Sequence, residues 1–260
     1  MPAPERQTLL ILGGTAEAAA LARAAVAQFD ARLTVITSLA GRTSSPAPVA
    51  GALRSGGFGG AAGLAAYLRE AAVDLVIDAT HPFAAQISRH ARIAAASAGV
   101  PRLALLRQDW QREAGDRWID VPDLDDAARA LPALGRRVLL TIGGRGLDAF
   151  AALEGIAFVV RLIETPRTAL ALRAAELVIA RPPFTLDGER HLLHRCAVAV
   201  MVAKASGGAR PAKLAAAGEA GVPVVMVARP PSEPGESVAS VAAAVTWIAA
   251  RLGRTVMVER

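Results

Sequence analysis

Thr8 to Leu12 is a continuous apolar run ended by Gly13-Gly14, and an alanine-rich stretch from Thr15 to Phe29 follows at once. A strand that shows no polar alternation has both of its faces covered, as in the interior of a parallel sheet. Parallel neighbours need a crossover connection, and the stretch after the glycines supplies a helix for it. The same couple recurs along the 260 residues. Strands are expected at Arg32 to Thr37, Val49 to Leu53, Asp74 to Ala79 and Arg102 to Leu106. Helices are expected over Leu64 to Ala72 and to about Ala98, with Pro82 in the first turn of the latter.

Residues 107 to 122 read as irregular, and Asp123 caps a short helix to Leu131. The pattern then restarts: Val138 to Ile142 leads into Gly143-Gly144, an echo of Leu9 to Leu12 with Gly13-Gly14. Further strands are expected at Ala157 to Arg161, Leu177 to Ala180, Val198 to Val202 and Val224 to Val227, with a last helix over Val238 to Leu252. This is an α/β chain. The expectation is two Rossmann-like βα-repeating domains, residues 1–130 and 131–260, with mostly parallel sheets and a cleft between them.

Composition narrows the function. No apolar run approaches the ~20 residues of a spanning helix, and the polar start before Thr8 does not resemble a secretory signal. A cytoplasmic protein is expected, without membrane contact. Cys196 is the only cysteine, which excludes an internal disulfide and a multi-cysteine metal site; it reads as a small buried hydrophobe. His191 and His194 have no acidic or thiol partners at metal spacing, so no metal is expected. The net charge of +6 is spread over scattered arginines, and aromatics are only 4%, so nucleic acid is not the expected partner. Lysine occurs only at Lys204 and Lys213, close together in one segment.

Four groups of residues can carry chemistry. In Leu9-Leu-Ile-Leu-Gly-Gly-Thr-Ala-Glu17, glycines between a strand and a helix bare backbone N–H groups at a helix N-terminus, which suits a pyrophosphate. The spacing departs from the full dinucleotide fingerprint, because Thr15 and Ala18 stand where glycines are usual. In Thr37-Ser-Leu-Ala-Gly-Arg-Thr-Ser-Ser45 the acid that holds ribose hydroxyls in NAD binders is missing. Arg42 and the hydroxyls of Ser38, Thr43, Ser44 and Ser45 suit a 2′-phosphate instead. In Asp78-Ala-Thr-His-Pro-Phe-Ala84, His81 follows a strand and faces the edge where such sheets bind ligands. Asp78 is expected to hold a backbone N–H. The last group, Gly143-Gly-Arg-Gly146, Arg161, Arg181 with Glu189, and Lys204 to Lys213, follows predicted strands of the second half and offers cations for carboxylates or phosphate.

Taken in order, Gly13-Gly-Thr-Ala-Glu17, Ser38-Leu-Ala-Gly-Arg-Thr43, Ala79-Thr-His-Pro-Phe-Ala84, Arg161-x-Ile163 with Pro166, Ala180-Arg-x-Pro-Phe184 and Lys204-x-Ser-Gly-Gly208 with Lys213-Leu214 resemble the precorrin-6A reductase family. The resemblance covers nearly the whole chain. It departs at Ala205, where a polar residue is usual, and at Pro182, where glycine is common. It implies an enzyme of cobalamin biosynthesis that uses NADPH to reduce the C18–C19 double bond of precorrin-6A, giving precorrin-6B. The cofactor contacts it implies are Gly13, Gly14, Thr15, Glu17, Ser38, Arg42, Thr43 and Thr80. Substrate contacts are expected from Arg145, Arg161, Arg181, Lys204, Ser206, Gly207 and Lys213, and His81 is the expected proton donor. The implied partners are the tetrapyrrole and, by channelling of substrate, other enzymes of the pathway.

Three other readings compete with this one. A short-chain dehydrogenase needs a Tyr-x-x-x-Lys pair, but Ala71 stands at that spacing after Tyr67, the only tyrosine. A cobalt-precorrin-6A reductase would look alike at this level. A redox sensor that binds NADPH without catalysis would not need the basic cluster of the second half.

Overall fold

The apolar run forms β1 (Gln7–Leu12), and Leu9 to Leu12 lie almost wholly out of solvent. After it come α1 (Ala16–Phe29), β2 (Leu33–Leu39), β3 (Ala52–Ser55), α2 (Gly60–Glu70), β4 (Leu75–Asp78), α3 (Ala85–Ala98) and β5 (Arg102–Leu105). Next are β6 (Trp118–Val121), α4 (Leu124–Leu134), β7 (Arg137–Leu140), β8 (Ala157–Leu162), β9 (Ala175–Ile179), α5 (Leu186–Arg195), β10 (Val200–Lys204), α6 (Ala212–Glu219) and β11 (Val224–Val227). The chain closes with β12 (Ser237–Val238) and α7 (Val241–Leu252) in this computed structural model, which describes residues 6–41 and 48–252.

Two six-stranded sheets result, ordered β12-β5-β4-β1-β2-β3 and β6-β11-β10-β7-β8-β9. The strand pairs are parallel throughout. Both sheets therefore follow the same plan. Each grows outward through three strands from β1 or β7, then reverses and grows the other way. The echo of Gly13-Gly14 in Gly143-Gly144 falls after the two strands that hold the same place in this plan.

The expected division at residue 130 needs correction. One unit combines the chain up to Gln108 with the chain from Pro230 onward, and the other spans Asp109–Arg229. β6 follows β5 in sequence yet pairs with β11, Val224 opposite Trp118. β12 follows β11 yet pairs with β5, Ser237 opposite Ala104. Each sheet thus takes its last strand from the part of the chain next to the other. Neither strand announces itself: β12 is two residues long, and β6 reads Trp-Ile-Asp-Val without an apolar run. Two smaller differences concern Pro82, which precedes α3 in a turn, and α2, which starts at Gly60, ahead of Leu64.

Alternate residues of β1 face opposite layers, as the strand period requires. Leu9 and Ile11 pack with Leu21, Ala22 and Phe29 of α1 and with Ala244, Trp247 and Ile248 of α7. Leu10 and Leu12 pack with Leu64 and Leu68 of α2 and Ala91 and Ala94 of α3. In the second unit, Leu139, Val159, Met201 and Met226 meet Leu192, Leu193 and Leu214 of α5 and α6. Each buried leucine contributes roughly 1.5–3 kcal/mol. Small alanines on the helices let them lie close to the sheet.

Gly63 lies inside α2, where alanine ordinarily gains about 1 kcal/mol over glycine. A Cβ there would stand 1.8 Å from the Phe58 carbonyl oxygen. That clash is with backbone and outweighs the gain in propensity. Gly63→Ala is expected to lower the urea midpoint, by about 1–3 kcal/mol in stability; an unchanged or higher midpoint would show that the Phe58 turn gives way freely.

Candidate functional site

In the first unit the order of strands reverses between β1 and β4. At such a point neighbouring loops leave toward opposite faces and open a crevice at the C-terminal edge of the sheet. The loops that leave here are Gly13-Gly14-Thr15 and Ala79-Thr80-His81. Gly13 N donates to Ser38 O at 2.9 Å, and Ala79 N to Leu12 O at 3.0 Å. Thr15 joins the two loops: its hydroxyl donates to Ala79 O at 2.7 Å and accepts from Ala18 N at 3.1 Å, capping α1.

The turn fits a pyrophosphate. Gly14 has φ +103°, a left-handed conformation that favours glycine, and nothing lies within 4 Å of where its Cβ would be. A Cβ on Gly13 would reach 3.0 Å from Thr37 Cγ2. The first N–H groups of α1 have no partner within the helix and carry the positive end of its dipole. Glu17, expected at the cofactor, accepts a 2.6 Å bond from Arg107. Ser38 is buried at the end of β2, and the segment Thr37 to Gly41 carries no acid. Arg42 and Thr43 lie outside the described residues.

On the β4 side, Asp78 holds the loop from within. Its Oδ1 accepts from Thr80 N at 3.2 Å and Thr80 Oγ1 at 2.7 Å, and Arg102 stands 3.7 Å from Oδ2. Asp78 and Arg102 are both buried. The Thr80 hydroxyl also meets Ser88 at 3.2 Å, which fixes its position. His81 Nδ1 accepts from Phe83 N at 3.2 Å. A neutral imidazole whose Nδ1 accepts carries its proton on Nε2.

The second unit reverses between β7 and β10. Thr141, just past β7, donates through both its N and its hydroxyl to Val202 O, at 3.0 and 2.9 Å. Lys204 Nζ donates to Ile142 O at 2.9 Å, and Lys213 Nζ to Thr141 Oγ1 at 2.9 Å. Ser206 N turns back onto Lys204 O at 2.7 Å, and Gly207 supports that turn at φ +63°. Arg161, on β8, forms a buried ion pair with Glu189 at 2.6 Å and lies 4.2 Å from the Phe184 ring centre. Thr141 is a contact the sequence hides, since it reads as one more residue of the strand Val138 to Ile142; the signal is a polar residue in an apolar run.

The expected basic set separates into groups. Lys204, Lys213 and Arg161 gather at the reversal. Arg181 follows the edge strand β9 and pairs with Glu164, while Arg145 is exposed on the turn after β7. His191 and His194 lie exposed on α5. Cys196 is buried, and burial together with Glu176 pushes its thiol above the usual range. Among the described residues, no group of three or more His, Cys, Asp or Glu could hold a metal ion, and no helix is long and apolar enough to cross a membrane.

A family model described as precorrin-6x reductase CbiJ/CobK matches residues 8–249. The chain belongs to this family. It is 46% identical over 242 residues to a precorrin-6A reductase of Rhodococcus erythropolis, covering 92% of this chain and 96% of the relative. A cobalt-precorrin-6A reductase of Priestia megaterium is 30% identical over 244 residues, 87% of this chain and 92% of the relative. A solved structure of CobK precorrin-6A reductase matches with a TM-score of 0.89 and 43% identity, over 94% of this chain and 97% of that one. Both strand-order reversals thus lie within a CbiJ/CobK chain, inside the span that the family model matches.

Within this member of the family, Lys213 has an unusual electrostatic setting. Burial, then the nearby Arg161 and Lys204 charges, lower its pKa from 10.5 to about 7, against the pull of Glu189. A lysine that is easier to deprotonate when folded binds fewer protons than in the unfolded chain between these two values. Its contribution to stability is therefore fully present above pH 10.5 and is lost as pH falls toward about 7. Measured by urea unfolding, the stability of Lys213→Met relative to the unmutated chain is expected to be greatest near pH 7 and to shrink toward pH 10. A difference that stays flat with pH would contradict the lowered pKa.

Proposed function

We propose that this chain reduces precorrin-6A to precorrin-6B with NADPH in cobalamin biosynthesis. The observation that carries the reading is the likeness to a precorrin-6A reductase over nearly the full length of both chains. The two strand-order reversals support it with a division of labour. The first offers bare backbone and hydroxyls at a helix N-terminus, and the second offers cations. A macrocycle with acetate and propionate arms is a polyanion, and Lys204, Lys213 and Arg161 complement it. A cytoplasmic location and handing-on of the product to other pathway enzymes go with this reading.

When bound, the reduced nicotinamide supplies the hydride for one carbon of the C18–C19 double bond. The chain's own task is to orient the reactants, exclude water and provide a proton for the other carbon. Gly13, Gly14 and Thr15 bind the pyrophosphate, and the Thr15 bond to Ala79 O holds that turn against the Thr80 loop. Thr80, fixed by Asp78 and Ser88, contributes to the same wall. As an imidazolium His81 would give up the proton on Nε2, a state in which Nδ1 is protonated too and releases the Phe83 N–H that it accepts in the neutral ring. The Lys213 ammonium, easily deprotonated on its own, gains its proton back when a substrate carboxylate approaches.

Anaerobic incubation with precorrin-6A, with or without cobalt in the ring, and with NADPH or NADH, tests the reading. NADPH oxidation is expected with the metal-free ring, at least about tenfold faster than with NADH, a difference of ~1.4 kcal/mol. Equal rates with both nucleotides would remove the cofactor assignment, and faster turnover of the cobalt ring would reassign the substrate. In the same assay, His81→Ala is expected to lower kcat about 100-fold while nucleotide binding stays unchanged. A kcat within about twofold of the unmutated enzyme would show that solvent supplies the proton.

A further inference from the structure

Beside the first nucleotide turn, one guanidinium is held in place without a counter-charge among the described residues. Arg54 is the last residue but one of β3, in register with Ser38 of β2, and the Ser38 carbonyl in turn accepts the N–H of Gly13. Its Nη1 donates to Gly56 O at 2.7 Å and its Nη2 to Gly57 O at 3.0 Å, with the Ser38 hydroxyl 3.5 Å from Nη1. The guanidinium carbon lies 3.7 Å from the Phe58 ring centre and 5.0 Å from that of Tyr67. Carbonyls and ring faces fix its orientation. They leave its charge intact.

Most partly buried arginines of this chain answer a carboxylate: Arg102 has Asp78, Arg161 has Glu189, and Arg107 has Glu17. Among the described residues Arg54 has none. The guanidinium keeps N–H donors beyond those used on the glycine carbonyls, since it has five in all. An immobilised, partly desolvated cation of this kind gains most from an anion that brings both charge and acceptor oxygens. An acid at the end of β2 would neutralise it, and the segment Thr37 to Gly41 contains no acid.

We propose that Arg54 is a specificity-determining residue that recognises the 2′-phosphate of the cofactor. This rests on the NADPH reading above and adds a residue to it. Phe58 and Tyr67 act as positioning residues, because they hold the guanidinium plane beside Ser38. The dianionic phosphate monoester provides the missing counter-charge, whereas a free 2′-hydroxyl provides little.

Binding measurements separate the two readings without any turnover. Calorimetric titration compares 2′,5′-ADP with 5′-AMP, which lacks only the phosphate in question. The unmutated chain is expected to prefer 2′,5′-ADP. Arg54→Gln is expected to weaken 2′,5′-ADP by about 10- to 100-fold and to leave 5′-AMP within about twofold. Arg54→Met keeps an unbranched stem over Phe58 and is expected to give the same selective loss, which keeps the test open should the glutamine variant not fold. A preference retained in a natively melting variant would overturn the role of Arg54 and spare the NADPH reading. Equal weakening of both nucleotides would mark Arg54 as structural, and no preference in the unmutated chain would overturn both readings together.

Discussion

Because every strand in each sheet points the same way, all the strand ends that carry loops into α-helices gather on one edge. The strand order then reverses once per sheet, beside β1 and beside β7. At those two places adjacent loops part toward opposite faces, and the backbone is left open without any cost in core packing. Thr15, Thr80 and His81 stand at the first of these breaks, and Thr141, Lys204 and Lys213 at the second. Thr15 fastens its loop to Ala79, and Thr141 fastens its own to Val202, so each break is held by a hydroxyl that reaches across it.

The two breaks differ in electrostatics. The first relies on backbone N–H groups, a helix dipole and hydroxyls, which suit phosphate oxygens. The second relies on ammonium groups. Lys204 and Lys213 are tethered through neutral acceptors, the Ile142 carbonyl and the Thr141 hydroxyl. Those two bonds fix the position of each amine. Arg161 is different, because Glu189 already answers it in a buried pair. A buried pair of this kind contributes little net stability, but removing either partner leaves an uncompensated charge. Arg161 therefore shapes the field felt by Lys213 as much as it offers a contact of its own.

Much of this was legible in the sequence. The apolar runs Leu9 to Leu12 and Val224 to Val227 identify interior parallel strands, since only a strand covered on both faces lacks polar alternation. Thr15 and Asp123 mark helix starts, and both accept the capping N–H in the structure. Lys204 and Lys213 stand out because lysine occurs nowhere else. Other features left no such mark. Arg54 is one arginine among many until the register with Ser38 and the ring of Phe58 define its surroundings. Thr141 hides in an apolar run, and the Glu17–Arg107 pair joins residues far apart in sequence.

What the sequence determined by itself is the class of structure and the family. Hydrophobic period, turn glycines and ordered motifs are local properties, and they survive being read one segment at a time. The tertiary structure decided which strand joins which sheet. β6 and β12 are short or mixed in polarity, so no local signal prevails, and their partners are chosen by the open edges of β11 and β5 that they cover. It also decided which cations keep their charge, because a counter-ion is a matter of distance in space, which spacing along the chain does not encode.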